Sequence, residues 1–349
     1  MKIGIVTQPL YDNYGAILQN WALQQTLIGM GHHPITIDYL PRQSFVRHIL
    51  SYVKMLLLFF KSKRIITPIR EHKRNRDFER FVNDNIVTTR TVHSYNESII
   101  REYGIGLLII GSDQVWRPKY NGPVLYDMYG RFAQNIPVVA YAASFGVDKW
   151  EYDKKQSKIC KALAQNIRAV SVREQSAVAL CKKYLDVSVE HVLDPTLLQD
   201  RNNYKKICEC VAENSEEYVL AYILDDNDDI NKVLDDITEE KKCKILRYSL
   251  NNRNNLSVEQ WLSRFRDAKY VVTDSYHGTV FSIIFNKPFM VLANSKRGRA
   301  RFESLLYMAD LKKQSSNVWR FDDVDWEKVN ERLQDNKNHS MQFLQSAGL

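Results

Sequence analysis

Five short segments of this sequence bring together polar, small and glycine residues in a way that packing alone does not require. They are Asn13-Tyr14-Gly15, Gly111-Ser112-Asp113, Ala143-Ser144-Phe145-Gly146, Ser171-Val172-Arg173-Glu174 and Thr273-Asp274-Ser275-Tyr276-His277-Gly278. Each stands at the end of an apolar run and in front of a helical pattern. Strand-to-helix turns of this kind open where a parallel sheet binds its ligands, and their backbone N–H groups favour anions. Among the eight histidines, His277 has the setting best suited to proton transfer, directly after an apolar run and before Gly278. At a helix N-terminus the dipole disfavours the imidazolium and favours an adjacent anion. The ring either exchanges a proton there or caps the turn as a structural residue, and the residues alone leave both readings open.

Other side chains extend the same chemistry. Arg173 ends the run Ala169–Val172, where a guanidinium forks onto a carboxylate or phosphate, or else pairs with Glu174 or another acid. Arg297, Arg299 and Arg301 form a basic loop that is either solvated or turned toward an anion. Asp113 and Asp274 are candidate bases or ligands, although Asp274 reads better as the cap of the following helix. Ser112 and Ser144 lack a nucleophile-elbow setting, and neither a GxGxxG fingerprint nor a P-loop occurs.

The elements that must position these residues alternate regularly. Lys2–Thr7 reads as a strand, then a helix runs from Ala16 to about Met30 with Ile17, Trp21, Leu23 and Leu27 on its apolar side. Asn13 suits its N-cap and Gly31 its end, and Pro34–Tyr39 supplies the next strand. Further strands are expected at Gly106–Ile110, Pro137–Ala142, Ala169–Val172 and Val189–Leu193. The pattern restarts with strands Tyr218–Leu224, Lys244–Tyr248, Tyr270–Thr273 and Pro288–Leu292, separated by helices Ile230–Glu239, Val258–Asp267 and Val280–Phe285. The fold class is therefore α/β, with two Rossmann-like parallel-sheet domains facing a cleft. The expected division is residues 1–200, with a helical insertion at 46–83, then 215–325. A helix at 326–349, clearest from Trp326 to Gln334, could return to the first domain.

Composition agrees with two soluble domains: 349 residues, 26% charged and 44% hydrophobic. A net charge of +8 invites nucleic acid, but the basic residues are scattered and no nucleic-acid module is visible, so small anionic substrates suit them better. Five cysteines without a Cys-x2-Cys pair argue against a disulfide framework or structural zinc. The N-terminal strand is not a signal peptide, which gives a cytoplasmic reading. Residues 46–60 are apolar but too short to span a bilayer, and basic residues follow through 64. That segment either lies on an anionic membrane surface, at the inner face of the membrane, or packs against protein.

The order and spacing of Asn13-Tyr14-Gly15-Ala16-Ile17-Leu18-Gln19, Gly111-Ser112-Asp113-Gln114-Val115-Trp116, Ser171-Val172-Arg173-Glu174, Asp194-Pro195-Thr196 and Thr273–Gly278 resemble the polysaccharide pyruvyl transferases. The resemblance spans most of residues 1–310 and implies a GT-B-like pair of domains. It also implies transfer of an enolpyruvyl-derived group from phosphoenolpyruvate to two hydroxyls of one sugar. The sugar would be a lipid-linked or polymeric acceptor of capsule, exopolysaccharide or cell-wall synthesis, and no metal or other cofactor is expected. His277 and Arg173 would be catalytic. Ser275, Tyr276, Gly278, Arg297, Arg299 and Arg301 would face the donor, and Asn13, Tyr14, Gly15, Ser112, Asp113 and Ser144 the acceptor. In some branches an arginine lies two positions before the histidine. Here that position is Ser275, so a cation from the 297–301 loop must replace it. A sugar-nucleotide glycosyltransferase and a non-catalytic glycan or lipid-carrier binding protein are the alternatives.

Overall fold

The computed structural model describes residues 1–11, 13–41, 76–225, 228–249, 256–293, 298–312 and 314–349. Two β-sheets organise it. The first has strand order β2-β1-β3-β4-β5-β6, built from β1 Lys2–Val6, β2 His33–Thr36, β3 Leu107–Ile110, β4 Val138–Ala143, β5 Ala169–Val172 and β6 Glu190–His191. All its pairings are parallel, in registers such as Ile3 with Leu107 and Ile109 with Val139. The second has order β11-β10-β9-β7-β8, from β7 Tyr218–Ile223, β8 Lys244–Ser249, β9 Tyr270–Thr273, β10 Phe289–Leu292 and β11 Val318–Phe321. Only β11 runs antiparallel, against β10.

The sequence forms these strands because both faces of each sheet are covered, so near-continuous apolar runs are what a parallel strand needs. Alternation then assigns each side chain to a face. Ile3, Ile5, Leu107 and Ile109 join one core, while Val6, Leu108 and Ile110 join the other. The first of these cores continues through the helix Tyr14–Gly29 to Val258, Trp261, Leu262 and Phe281 of the second sheet's helices. The two sheets are thereby joined by buried apolar side chains. Tyr14 reinforces the junction, stacking on Trp261 at 5.1 Å and donating its hydroxyl to the Leu256 carbonyl at 2.8 Å.

Helix starts follow local chemistry. Asn13 accepts from Ala16 N, Asp153 and Gln156 form a capping box, and so do Ser257 and Gln260. Several expectations need correction. The helix after β9 begins at Tyr276, four residues before the expected Val280, and Ser275 rather than Asp274 caps it through Gly278 N. The Asp274 carboxylate instead accepts from Leu224 N and Asp225 N, tying β9 to the end of β7. The strand expected over Val189–Leu193 is two residues long, and the final helix runs from Trp326 to Ser346. That helix sets Phe343 against Tyr141 of the first sheet, and its Ser340 Oγ accepts from Leu193 N. Of the 46–83 insertion, the helix Arg76–Asn85 is seen, and the apolar segment 46–64 lies outside the described residues. Among the described residues no helix is long and apolar enough to cross a membrane.

Candidate active site

All five polar turns meet where the two sheets' strand ends approach each other. β9 ends at Thr273, and the first helical turn carries Tyr276, His277 and Gly278 toward the first domain. His277 is buried, with 7% exposure, and its Nε2 has no hydrogen-bond partner among the described residues. The nearest acid is Asp194, whose Oδ2 stands 3.8 Å from Nε2, within ion-pair reach but too far for a hydrogen bond. From the other side the backbone of Gly15 presses on the ring so closely that a Cβ there would overlap it. Gly15 thus belongs to this site through its missing side chain.

Asp194 is the hub. It caps the short turn Pro195–Leu198, its Oδ1 accepting from Thr196 N at 3.0 Å and from the Thr196 hydroxyl at 2.6 Å. Its Oδ2 accepts from Arg173 Nη1 at 2.6 Å, and Ser112 Oγ lies at 3.5 Å. Burial alone would raise its carboxyl. Its contacts with His277, Arg173 and Thr196 outweigh that and hold it well below the usual carboxylate range. Arg173 directly follows β5 and is buried at 2% exposure, its Nη2 donating to Asp113 Oδ1 at 3.2 Å. Burial works against its charge. Tyr276, Asp194, Asp113 and Glu174 more than compensate and keep the guanidinium charged.

A second layer lies beyond Tyr276. The guanidiniums of Arg173 and Arg301 lie over its ring, at 4.4 and 5.5 Å. Arg301 is buried in the helix Arg299–Met308, where burial first and then Arg173 lower its affinity for the proton. Glu174 is fully buried, with Oε1 accepting from Ser144 Oγ and from the amides of Phe145 and Gly146, while Oε2 has no partner among the described residues. Burial pushes this carboxyl up, against the opposing pull of Arg173, the Gly146 amide, Arg301 and Ser144. Gly146 and Gly298 touch here, since a Cβ on Gly298 would overlap the Gly146 carbonyl oxygen. The arrangement therefore sets one buried imidazole and two guanidiniums among three carboxylates, a constellation suited to an anionic substrate and to proton transfer.

The profile of the polysaccharide pyruvyl transferases matches residues 13–296, which include every residue of this cluster except Gly298 and Arg301. The chain belongs to the polysaccharide pyruvyl transferase family. It is accordingly a transferase of polysaccharide biosynthesis. None of the proteins of curated function matches it in sequence. Among solved structures, the S. aureus MnaA–UDP co-structure is similar at 12% identity and a TM-score of 0.50, covering 98% of this chain and 90% of that one. A Listeria monocytogenes structure assigned as a UDP-N-acetylglucosamine 2-epimerase also gives a TM-score of 0.50, at 11% identity and with 98% and 89% covered. Both similarities establish the fold, the GT-B-like pairing of two Rossmann-like domains.

Within this transferase the residues expected at the site divide sharply. His277, Tyr276, Arg173, Asp113, Gly15 and Arg301 converge. Ser275 is the helix cap, and Gly278 is packed against Thr273 Oγ1 and Tyr222, where a Cβ would not fit. Ser112 and Ser144, expected to face an acceptor, are fully buried and give their hydroxyls to Ala142 O and Glu174 Oε1. Tyr14 joins the domains instead, and Asn13 is occupied as a cap. Arg299 points elsewhere: it pairs with Glu303, donates to Asn317 Oδ1 and lies over Trp319. Positions 299 and 301 stand about 200° apart around a helix, so one can turn inward only if the other turns away. Arg297 lies outside the described residues. Asp194 and Glu174 were not among the site residues expected from the sequence, where Glu174 stood only as an alternative ion-pair partner of Arg173. The signal for Asp194 was its Asp-Pro-Thr setting after a strand, which marks a cap, but its partners are distant in the chain. Among the described residues no group of three or more His, Cys, Asp or Glu side chains is placed to hold a metal.

Proposed function

We propose that this chain transfers an enolpyruvyl-derived group from phosphoenolpyruvate to two hydroxyls of one sugar, leaving a pyruvate ketal on a lipid-linked or polymeric acceptor and releasing phosphate. The observation that carries the reading is His277. The family's polar turn sets it between Gly15 and Asp194, with Arg173 and Arg301 on the adjoining ring of Tyr276.

The reaction needs a proton at C3 of the donor, a clamp for three negative charges, and a way out for phosphate. In our reading His277 supplies the proton to C3, which makes C2 electrophilic. One sugar hydroxyl adds to C2, the C2–O bond to phosphate breaks, and the second hydroxyl closes the ketal. Two hydroxyl protons are released, one balancing that gained at C3 and the other leaving with the phosphate. Arg301 takes the role of the cation that Ser275 does not provide. Arg173, held by Asp113 and Asp194, keeps Tyr276 in place and adds its field to the site. Fixed charges of this kind act by positioning and by stabilising charge as it develops.

The test is release of phosphate from phosphoenolpyruvate, measured with and without a panel of lipid-linked sugars. Turnover that requires both substrates supports the reading. If the protein is stabilised thermally by a nucleotide diphosphate sugar but not by phosphoenolpyruvate, and releases no phosphate, a sugar-nucleotide glycosyltransferase replaces it.

A further inference from the structure

The cap residue of the Asp194-Pro195-Thr196 turn stands nearer the imidazole than any cap needs to. We propose that Asp194 is a positioning residue for His277: its ionised carboxylate orients the ring and sets a negative charge against it, so that the acid is assembled only when the two domains meet. The inference rests on the pyruvyl-transfer reading for its catalytic consequence, but not for its electrostatic one.

Three observations carry it. First, the carboxylate cannot turn away. Thr196 N and Oγ1 fix Oδ1, and Arg173 Nη1 fixes Oδ2 at 2.6 Å, with Asp194 itself 1% exposed. Second, among the described residues that same Oδ2 is the acid oxygen nearest Nε2 of His277, at 3.8 Å, and Nε2 is buried with no other partner there. A modest approach turns this gap into a charge-assisted hydrogen bond. Third, the two residues come from different domains. Asp194 leaves the first sheet just after β6, while His277 follows β9 of the second.

Among the described residues, the charged groups around the ring are few. Asp194 faces it from the segment after β6, while Arg173 and Asp113 stand behind that carboxylate. Tyr276 precedes it on its own helix, with Arg301 over that ring at 5.5 Å. The residues Asn13 to Gly15 bring backbone and no charge. Asp194 is thus the anion with direct reach of the imidazole. An opposite charge within about 4–6 Å favours the charged form of a titrating group by roughly 1–3 pH units.

The experiment compares Asp194→Asn with Asp113→Asn. Both remove one carboxylate from Arg173, but only the first removes the one facing His277. Titration of the His277 ring is followed by NMR in histidine-labelled protein, its resonance identified by its loss in His277→Gln. We expect Asp194→Asn to move that titration to lower pH by about one unit or more, and Asp113→Asn to leave it within a few tenths. In turnover, the alkaline limb of kcat/KM for phosphoenolpyruvate should move the same way in Asp194→Asn. Thr196→Val, which loosens the carboxylate but keeps its charge, should lower kcat and leave the limb in place. If the titration is the same in wild type and Asp194→Asn, or moves equally in Asp113→Asn, the proposal fails. Should Asp194→Asn not fold, Thr196→Val still decides: a limb shifted as far as one unit would assign the effect to packing. Because the titration is read without substrate, an enzyme inactive toward phosphoenolpyruvate would overturn the reaction and not this inference.

Discussion

Gly15 and His277 face each other across the two domains with no room for a methyl group between them: a Cβ on Gly15 would collide with Nδ1, Cγ and Cε1 of the ring. Gly15 is the second residue of its helix, and no positive φ is involved, so alanine there costs no backbone strain and would even favour the helix. The effect of Gly15→Ala is therefore confined to the contact. Either the ring or the domain must shift by about an ångström, and a misplacement of that size costs on the order of 10²-fold in rate. We expect Gly15→Ala to fold, to keep its circular dichroism spectrum, and to lose kcat/KM for phosphoenolpyruvate by about that factor. Wild-type turnover in this variant would separate Gly15 from the site.

His277 itself offers the simplest comparison. Removing a positioned proton-transfer group costs on the order of 10²–10⁴ in rate. His277→Gln keeps a similar volume and should lose phosphate release by that factor, while binding of phosphoenolpyruvate, followed by thermal shift, survives. Binding lost together with turnover would make His277 a ligand for the donor and leave the acid unassigned.

Much of this framework was legible in the sequence, for a physical reason. Parallel strands buried on both faces must be apolar runs, so β1, β3, β5, β7 and β9 stood out, and Ala169–Val172 and Tyr270–Thr273 were placed to the residue. What failed was context. Tyr276-His277-Gly278 reads as loop, because glycine and aromatic residues are poor helix starters. It is helical because Ser275 caps it and Gly278 lets the helix lie against Thr273 and Tyr222. Ser112 and Ser144 looked like exposed site hydroxyls because their acceptors, Ala142 O and Glu174 Oε1, are 30 residues away in the chain. Arg173 read as an anion grip or an ion pair, and its partners Asp113 and Asp194 are brought to it only by the order of the strands. Local chemistry can name a capable residue; the fold decides what that residue touches.

The arginine loop gives a prediction with an internal control. Arg301 is buried over Tyr276, whereas Arg299 is about a third exposed and held by Glu303. A charge-assisted contact to the donor contributes about 1.5–3 kcal/mol, or roughly 10–150-fold in affinity. Arg301→Ala should raise KM for phosphoenolpyruvate within that range, and Arg301→Lys should recover part of the loss. Arg299→Ala should leave KM unchanged, since an exposed pair contributes only about 0–1 kcal/mol, and to stability alone. Steady-state kinetics on the three variants decides the matter, and equal effects at both positions would return the choice of cation to the open.

Glu174 contributes to the pH dependence of stability, and the sign can be worked out. Burial raises its carboxyl in the folded protein above its ordinary value of 4.5, so the folded state holds a proton there that the unfolded chain has already released. A group raised in this way contributes its full stability below the unfolded value. That contribution is lost as pH climbs through the folded one. Glu174→Gln mimics the protonated form, keeping an oxygen for Ser144, Phe145 and Gly146 and placing an uncharged amide where Oε2 has no partner among the described residues. The variant should therefore match the wild type in melting temperature near pH 4.5 and exceed it increasingly as pH rises toward 8. Thermal unfolding at a series of pH values measures the difference directly. A variant less stable than wild type by a constant amount at every pH would mean that Glu174 is ionised throughout and held by Arg173 and Arg301.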